Sequence, residues 1–433
     1  MERDLLGKKL LILAGSEVHC KAVEAAKELG VYTIVTDYLA ESPAKALADE
    51  SWMLSIVDTD AIIRKCREES VDGVLNICND TAQFPYVTIC EALGLPCYGT
   101  YDQLEVLTNK NELKKICRKL GLGTIKDYKL EDINSVCVNY PVLVKPADSR
   151  GSRGQTICYC AEDLQDGVQF AMTESPTDSI VIEQYMGDKQ DFEMTYIVID
   201  YVPYLLKTAD RYLGSKKSGL SRQCSILKAP SKHTNTYVEC VDHRMKKLAA
   251  QLGIQNGPFF MQGFVDGNTV RFYDAGLRFP GAEYERIYNE ANSIDLMKMM
   301  VVFALTGKMS TPKGIESGYL LGEKHSAQIF ASARAGVIAQ INGLDTIRNH
   351  PNVVCATLKC EIGDEIKETG DVKQRVAEIA ILADSPVSLS DIASETFGML
   401  EVLDVKGKNM LLPLDPQYLY MIAEKYREGG TND

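Results

Sequence analysis

Short apolar runs alternate with segments of helical period from the first residues onward, and this alternation restricts the chain more than any other feature. KKLLILAGS is a strand-length apolar run, and Val18, Ala22, Ala25, Ala26 and Leu29 then recur at helical spacing. VYTIVTD, AIIRKCREES, VDGVLNIC and FPYVTICEALG repeat the order of strand and helix. Such units join through right-handed crossovers into a parallel sheet with helices on both faces. The turn after the first run, AGSEVH, has one glycine where a dinucleotide fingerprint needs three, so a GxGxxG site is absent.

Beyond about residue 105 the pattern changes. NKNELKKICRKLG predicts a basic helix with Leu113, Ile116, Cys117 and Leu120 on one face. PVLVKP and QTICYC read as strands joined by a small basic loop, and SIVIEQYM and FEMTYIVID read as two more. MKKLAAQLG is a helix, and FFMQGFVDGNTVRFYDAGLRF is a hairpin turning at VDGN. A helical stretch through MKMMVVFALTG leads to GVIAQI, NVVCATLKC and RVAEIAIL, which suggest a separate small α/β unit. The stretch from Asp210 to Pro230 reads as a long loop carrying Arg211, Lys216, Lys217 and Arg222, any of which can meet an acidic substrate.

Charge and cysteine content exclude several classes. Forty-seven basic against sixty acidic residues give a net charge of -13, which argues against a general nucleic-acid or anionic-membrane surface. Thirteen cysteines without a CxxC pair fit neither a zinc module nor a disulfide framework, and suggest a reducing cytoplasm. No apolar stretch reaches membrane-spanning length, and the N-terminal run reads as a strand, not a signal peptide. The five histidines show no metal or triad spacing.

Against that acidic background the loop SRGSRG, residues 149–154, stands out. Its glycines let the backbone fold closely around an anion, although its strand-like flanks exclude a P-loop. Lys145 ends the apolar strand before it, and Lys110 opens the basic helix upstream.

This ordered series resembles the ATP-grasp enzymes, and carboxylate-amine ligases in particular, with a nucleotide site like that of biotin carboxylase. The resemblance implies a Rossmann-like N-terminal domain (1–105), a two-lobed ATP-grasp domain (106–310, lid about 135–183) and a small C-terminal α/β subdomain (311–433). It implies that Lys110 and Lys145 hold ATP phosphates under a lid formed by Ser149, Arg150, Gly151, Ser152, Arg153 and Gly154. Glu183, Gln184, Tyr185 and Met186 match the linker that grips adenine, and Asp191, with Glu193 as competitor, matches the ribose acid. For Mg²⁺ or Mn²⁺ the family pattern is a glutamate followed by ExNPR, whereas this chain has Gln262 and then YDAGLRF. Asp274 and Gln262 are the metal candidates, Gly276 replaces the asparagine, and Arg278 keeps the place of the arginine that stabilises an acyl phosphate. A structural salt bridge is the other role open to Arg278. The implied activity is ATP-dependent, ADP-forming ligation of a small-molecule carboxylate to an amine, in a chain that can form a homodimer. Other ATP-grasp chemistry, such as bicarbonate activation or joining an amino acid to a sugar acid, and a nucleotide-binding pseudoenzyme are the alternatives.

Overall fold

The computed structural model describes residues 5–130, 138–147, 154–175, 177–187, 189–214 and 223–424. Strands β1 (Lys9–Leu13), β2 (Tyr32–Thr36), β3 (Glu50–Trp52) and β4 (Gly73–Leu75) form a parallel sheet in the order β3-β2-β1-β4. Leu10 to Leu13 are all buried, as a strand covered by helices on both faces requires. The helix Gln83–Leu93 stops at Gly94, whose φ of 66° is a left-handed conformation that glycine adopts without strain.

A second, antiparallel sheet follows the order β6-β9-β7-β8, built from β6 (Asp127–Tyr128), β7 (Val142–Pro146), β8 (Thr156–Cys158) and β9 (Ile180–Gln184). The helix Ala161–Thr173 packs on it, and Val142, Val144, Cys158, Leu164, Ala171 and Ile182 make a small core of their own. This lobe stands over a nine-stranded sheet.

That larger sheet contains β5 (Gly123–Thr124), β10 (Asp191–Ile199), β11 (Val202–Leu213), β12 (Cys224–Ala229), β13 (Gly257–Asp266) and β14 (Thr269–Gly276). It also takes in β15 (His325–Ser332), β17 (Val353–Leu358) and β19 (Arg375–Ala383), in the order β17-β19-β15-β12-β11-β10-β13-β14-β5. The remaining strands, β16 (Gly336–Asn342), β18 (Glu365–Ile366) and β20 (Glu401–Asp404), form a three-stranded sheet β18-β16-β20. No helix among the described residues is long and apolar enough to cross a membrane.

The C-terminal segment has a hydrophobic core largely of its own and is also joined to the large sheet, because β15 pairs with β12 from Ile226↔Ile329 to Ala229↔Ser326 and carries β19 and β17 with it. Without β15 the backbone N–H and C=O groups on one edge of β12 would lack partners. One expectation is corrected: the loop expected over Asp210–Pro230 is strand at both of its ends, since β11 runs to Leu213 and β12 spans Cys224–Ala229. Lys207, Asp210 and Lys228 are buried: Lys207 pairs with Glu193, Asp210 accepts from the Ser231 hydroxyl, and Lys228 pairs with Glu424. Lys216, Lys217 and Arg222 lie outside the described residues.

Buried charges also join the N-terminal sheet to the rest. Lys21 Nζ donates to Glu285 Oε2 and to the Ala282 carbonyl, each at 2.5 Å, and the Glu283 amide donates to Glu378 Oε1 at 2.9 Å. Burial, with Glu283 beside it, pushes the Glu378 carboxyl from 4.5 up to about 7. A carboxyl raised on folding contributes stability that is fully present below pH 4.5 and is lost as pH rises through about 7. Denaturant unfolding at pH 5, 6 and 8 is therefore expected to show a decline of on the order of 2 kcal/mol across this window. Glu378→Gln, which retains an acceptor for the Glu283 amide, should flatten that decline.

Candidate active site

An open cleft of about 1390 Å³ lies between the small sheet and the nine-stranded sheet. Its walls include Asp80, Lys110, Lys145, Glu183, Tyr185, Asp191, Arg211, Gln262, Tyr273, Asp274 and Arg278. The topology thus gathers residues almost two hundred positions apart.

Lys145 is the penultimate residue of β7, and its register partner on β9 is Val181. Its ammonium pairs with Glu183 Oε1, while Lys114 Nζ donates to Glu183 Oε2 at 2.9 Å. All three are almost fully buried. Burial pushes the Glu183 carboxyl up, but Lys145 and then Lys114 outweigh it and hold the group below the usual carboxylate range. The Glu183 side chain therefore aims Lys145. Lys114 was missed in the sequence, although its spacing of four from Lys110 puts both on one helix face. Lys110 itself opens the helix Lys110–Lys119, whose cap Asn109 accepts from the amides of Asn111 at 3.0 Å and Glu112 at 3.3 Å.

In the rest of the linker, Tyr185 lines the cleft, while the Gln184 side chain donates to the Pro141 carbonyl at 3.0 Å and Met186 is buried. Ser149, Arg150, Gly151, Ser152 and Arg153 lie outside the described residues. Gly154 has a φ of 71°, and a Cβ there would meet Pro146 Cγ at 2.7 Å and Glu174 Cβ at 2.8 Å. Only glycine fits this close return to the end of β7.

The floor of the cleft comes from β10, β13 and β14. A bulge shifts the register between Gln262↔Asp274 and Gly263↔Phe272, leaving Tyr273 as the extra residue. Neighbouring residues then both reach the cleft, which strict alternation would forbid. Asp191 accepts from Arg211 Nη1 and from the Tyr273 hydroxyl, each at 2.9 Å. Burial raises the Asp191 carboxyl despite Arg211. Glu193 is enclosed, does not line the cleft, and is held low against burial by Lys207 and Arg211.

Asp274 has no hydrogen bond or ion pair among the described residues, and burial pushes its carboxyl up although the Lys110 ammonium counters it. An unpartnered carboxylate in a cleft suits a hard divalent cation, which binds oxygen and completes its octahedron with phosphate and water. Gln262 is different: its Nε2 donates to Glu193 Oε2 at 2.7 Å, so a buried acid orients its amide. Among the described residues there is no group of three His, Cys, Asp or Glu side chains able to hold a metal.

Arg278 stands over the Phe260 ring at 4.6 Å, and its fork is occupied by Asp80, with Nε–Oδ1 2.6 Å and Nη2–Oδ2 2.8 Å. Asp80 follows β4 in the N-terminal sheet, was not singled out in the sequence, and is 44% exposed. A carboxylate ligand of similar shape can exchange with it.

Comparison with known proteins agrees with this layout. Residues 108–273 match the family model for the carbamoyl-phosphate synthase L chain ATP binding domain, and residues 328–403 match L-amino acid ligase C-terminal domain 2. The formate-dependent phosphoribosylglycinamide formyltransferase of Sulfurisphaera tokodaii is 22% identical over 63% of this chain and 70% of its own length. The 2-oxoglutarate carboxylase small subunit of Hydrogenobacter thermophilus is 25% identical over 43% of this chain and 44% of its own, and the chain spans about half the length of several such relatives. Among solved structures, L-amino acid ligase from Bacillus licheniformis superposes with a TM-score of 0.75 at 18% identity, covering 92% of this chain and 99% of that one. The biotin carboxylase domain of the Hydrogenobacter thermophilus 2-oxoglutarate carboxylase gives 0.78 at 17% identity, covering 97% and 94%. Two lobes enclosing one cationic cleft thus go with the fold of these two solved structures and with two family models that match in order along the chain, an ATP binding domain and then an L-amino acid ligase C-terminal domain.

Proposed function

We propose that this chain is an ATP-dependent carboxylate-amine ligase that forms an amide or peptide bond through an acyl phosphate. The observation that carries the reading is the convergence of Lys110, Lys145 and Arg278 in one cleft on Asp274, which has no hydrogen bond or ion pair among the described residues. Three cations around a single acid suit a polyphosphate that arrives with a divalent ion.

In the reaction a carboxylate oxygen of the substrate attacks the γ-phosphorus, and the bond from that phosphorus to the β-γ bridging oxygen breaks, releasing ADP. An amine then attacks the activated carbonyl, phosphate leaves, and the amine proton passes to solvent or to the departing phosphate. Such chemistry needs positioning and charge neutralisation more than a protein nucleophile. Lys110 and Lys145 hold phosphate oxygens, Tyr185 and the linker around it face the base, and Asp191 faces the ribose. Arg278 turns from Asp80 to the incoming carboxylate and then stabilises the acyl phosphate. Asp274 would hold Mg²⁺, which when bound neutralises phosphate charge. A small-molecule acid and amine are the partners, and the free cysteines suit a reducing compartment.

The test is ADP release with Mg²⁺ or Mn²⁺ across a panel of amino acid pairs, with the product identified by mass. We expect ADP formation to depend on both an acid and an amine and to match amide product one to one. Tight nucleotide binding without substrate-stimulated ADP for any pairing would favour the pseudoenzyme, and bicarbonate-stimulated ADP would favour carboxylation.

A further inference from the structure

The Gln262 amide has a determined sense. Glu193 lies opposite it across β10 and β13, and its carboxylate takes the Gln262 Nε2 at 2.7 Å. A carboxylate only accepts, so the nitrogen must face it and the oxygen must face away. On that other side Oε1 lies 3.4 Å from the Tyr273 hydroxyl. The same hydroxyl donates to Asp191 Oδ1 at 2.9 Å and lies 2.6 Å from Arg211 Nη1.

These groups form one buried network. Lys207 pairs with Glu193, and Arg211 bonds Asp191 at 2.9 Å and approaches Glu193 at 3.9 Å. Two acids are thus matched by two bases, with Gln262 and Tyr273 as neutral links between them. No negative charge is left over in the network to draw in a second divalent cation, and burying one beside Arg211 would be costly. Asp274, across the β13–β14 pair from Gln262, is an acid with no hydrogen bond or ion pair among the described residues. We propose that this site takes a single divalent ion, held by Asp274 together with the nucleotide phosphates, and that Gln262 is a positioning residue for Glu193 instead of a metal ligand. The proposal departs from the metal role expected for Gln262, and it rests on the reading of the cleft as a nucleotide site.

The experiment is Mn²⁺ titration followed by electron paramagnetic resonance, with a methylene-bridged ATP analogue bound and its occupancy read separately by displacement of a fluorescent nucleotide. Wild-type protein is expected to bind one Mn²⁺ per chain. Gln262→Met should keep that count and hold Mn²⁺ affinity within about threefold, whereas Asp274→Asn should lower affinity by about 10-fold or more. Two ions in the wild type overturn the proposal, and so does a loss of about 10-fold or more in Gln262→Met with unchanged thermal unfolding. Should Gln262→Met fail to fold, the wild-type count alone decides. An analogue that does not bind at any Mn²⁺ concentration defeats the nucleotide reading itself, a result that the displacement readout separates from an ion count of two.

Discussion

Lys145→Met is expected to weaken ATP binding by about 10-fold and to lower substrate-dependent ADP formation by about 10²-fold or more. The physical basis is the position of the ammonium at the end of a rigid strand, aimed by Glu183, where its charge acts in a largely dry site. Loss of Lys145 also leaves Glu183 with Lys114 alone, and a stability cost of about 1–3 kcal/mol is expected alongside. Calorimetric titration with the ATP analogue and denaturant unfolding measure the two effects apart. Glu183→Gln separates them further, since it keeps the Lys145 charge but removes what aims it. Activity should fall there while nucleotide affinity changes little. If Lys145→Met binds nucleotide like the wild type, the phosphate role fails.

Arg278→Ala should produce the other large effect, a fall of about 10²–10³-fold in turnover with nucleotide affinity held within about threefold. That separation follows from its place: the guanidinium meets Asp80 from the N-terminal sheet, whereas Lys145 and Glu183 belong to the small lobe. A purely structural salt bridge would make Asp80→Ala and Arg278→Ala equally damaging. The exchange proposed here makes Asp80→Ala the milder change, with a lower KM for the carboxylate substrate because the fork is already vacant. Steady-state kinetics on both variants, with unfolding curves as control, distinguish the two roles. Arg278→Lys should recover little, because an ammonium cannot reproduce a bidentate fork.

Much of this site is legible in the chain itself, but unevenly. Lys110 follows a helix-capping asparagine and Lys145 closes an apolar strand, so local pattern alone places both at the ends of rigid elements. Glu183 looked like part of an adenine linker, and its bonds to Lys145 and Lys114 exist only because β9 pairs with β7 and the tertiary fold brings Lys114 of the basic helix to its carboxylate. Asp80 carries no local signal: it is one acid in a loop, and it matters because the N-terminal sheet is set against the end of β14. The bulge at Tyr273 was also hidden, since a one-residue register shift depends on the partner strand.

The C-terminal helix Pro416–Ile422 makes the same point. Its sequence reads as an ordinary capped helix, with Asp415 accepting from the Gln417 amide at 2.9 Å. Tertiary packing sets Tyr418 5.3 Å from the Tyr212 ring and makes Tyr418 and Met421 part of the cleft wall.

The amino-acid sequence by itself determined the kinds of element, the positions of Lys110, Lys145, Asp274 and Arg278 on them, and the resemblance of their order to one superfamily. These follow from periodicity, capping and spacing, which act over a few residues. Tertiary structure decided which charge each of those residues faces: Glu183 for Lys145, Asp80 for Arg278, Glu193 for Gln262, and no partner among the described residues for Asp274. Electrostatic partnership depends on distance in space and on burial, and those are properties of strand order and lobe packing that no local stretch of the chain encodes.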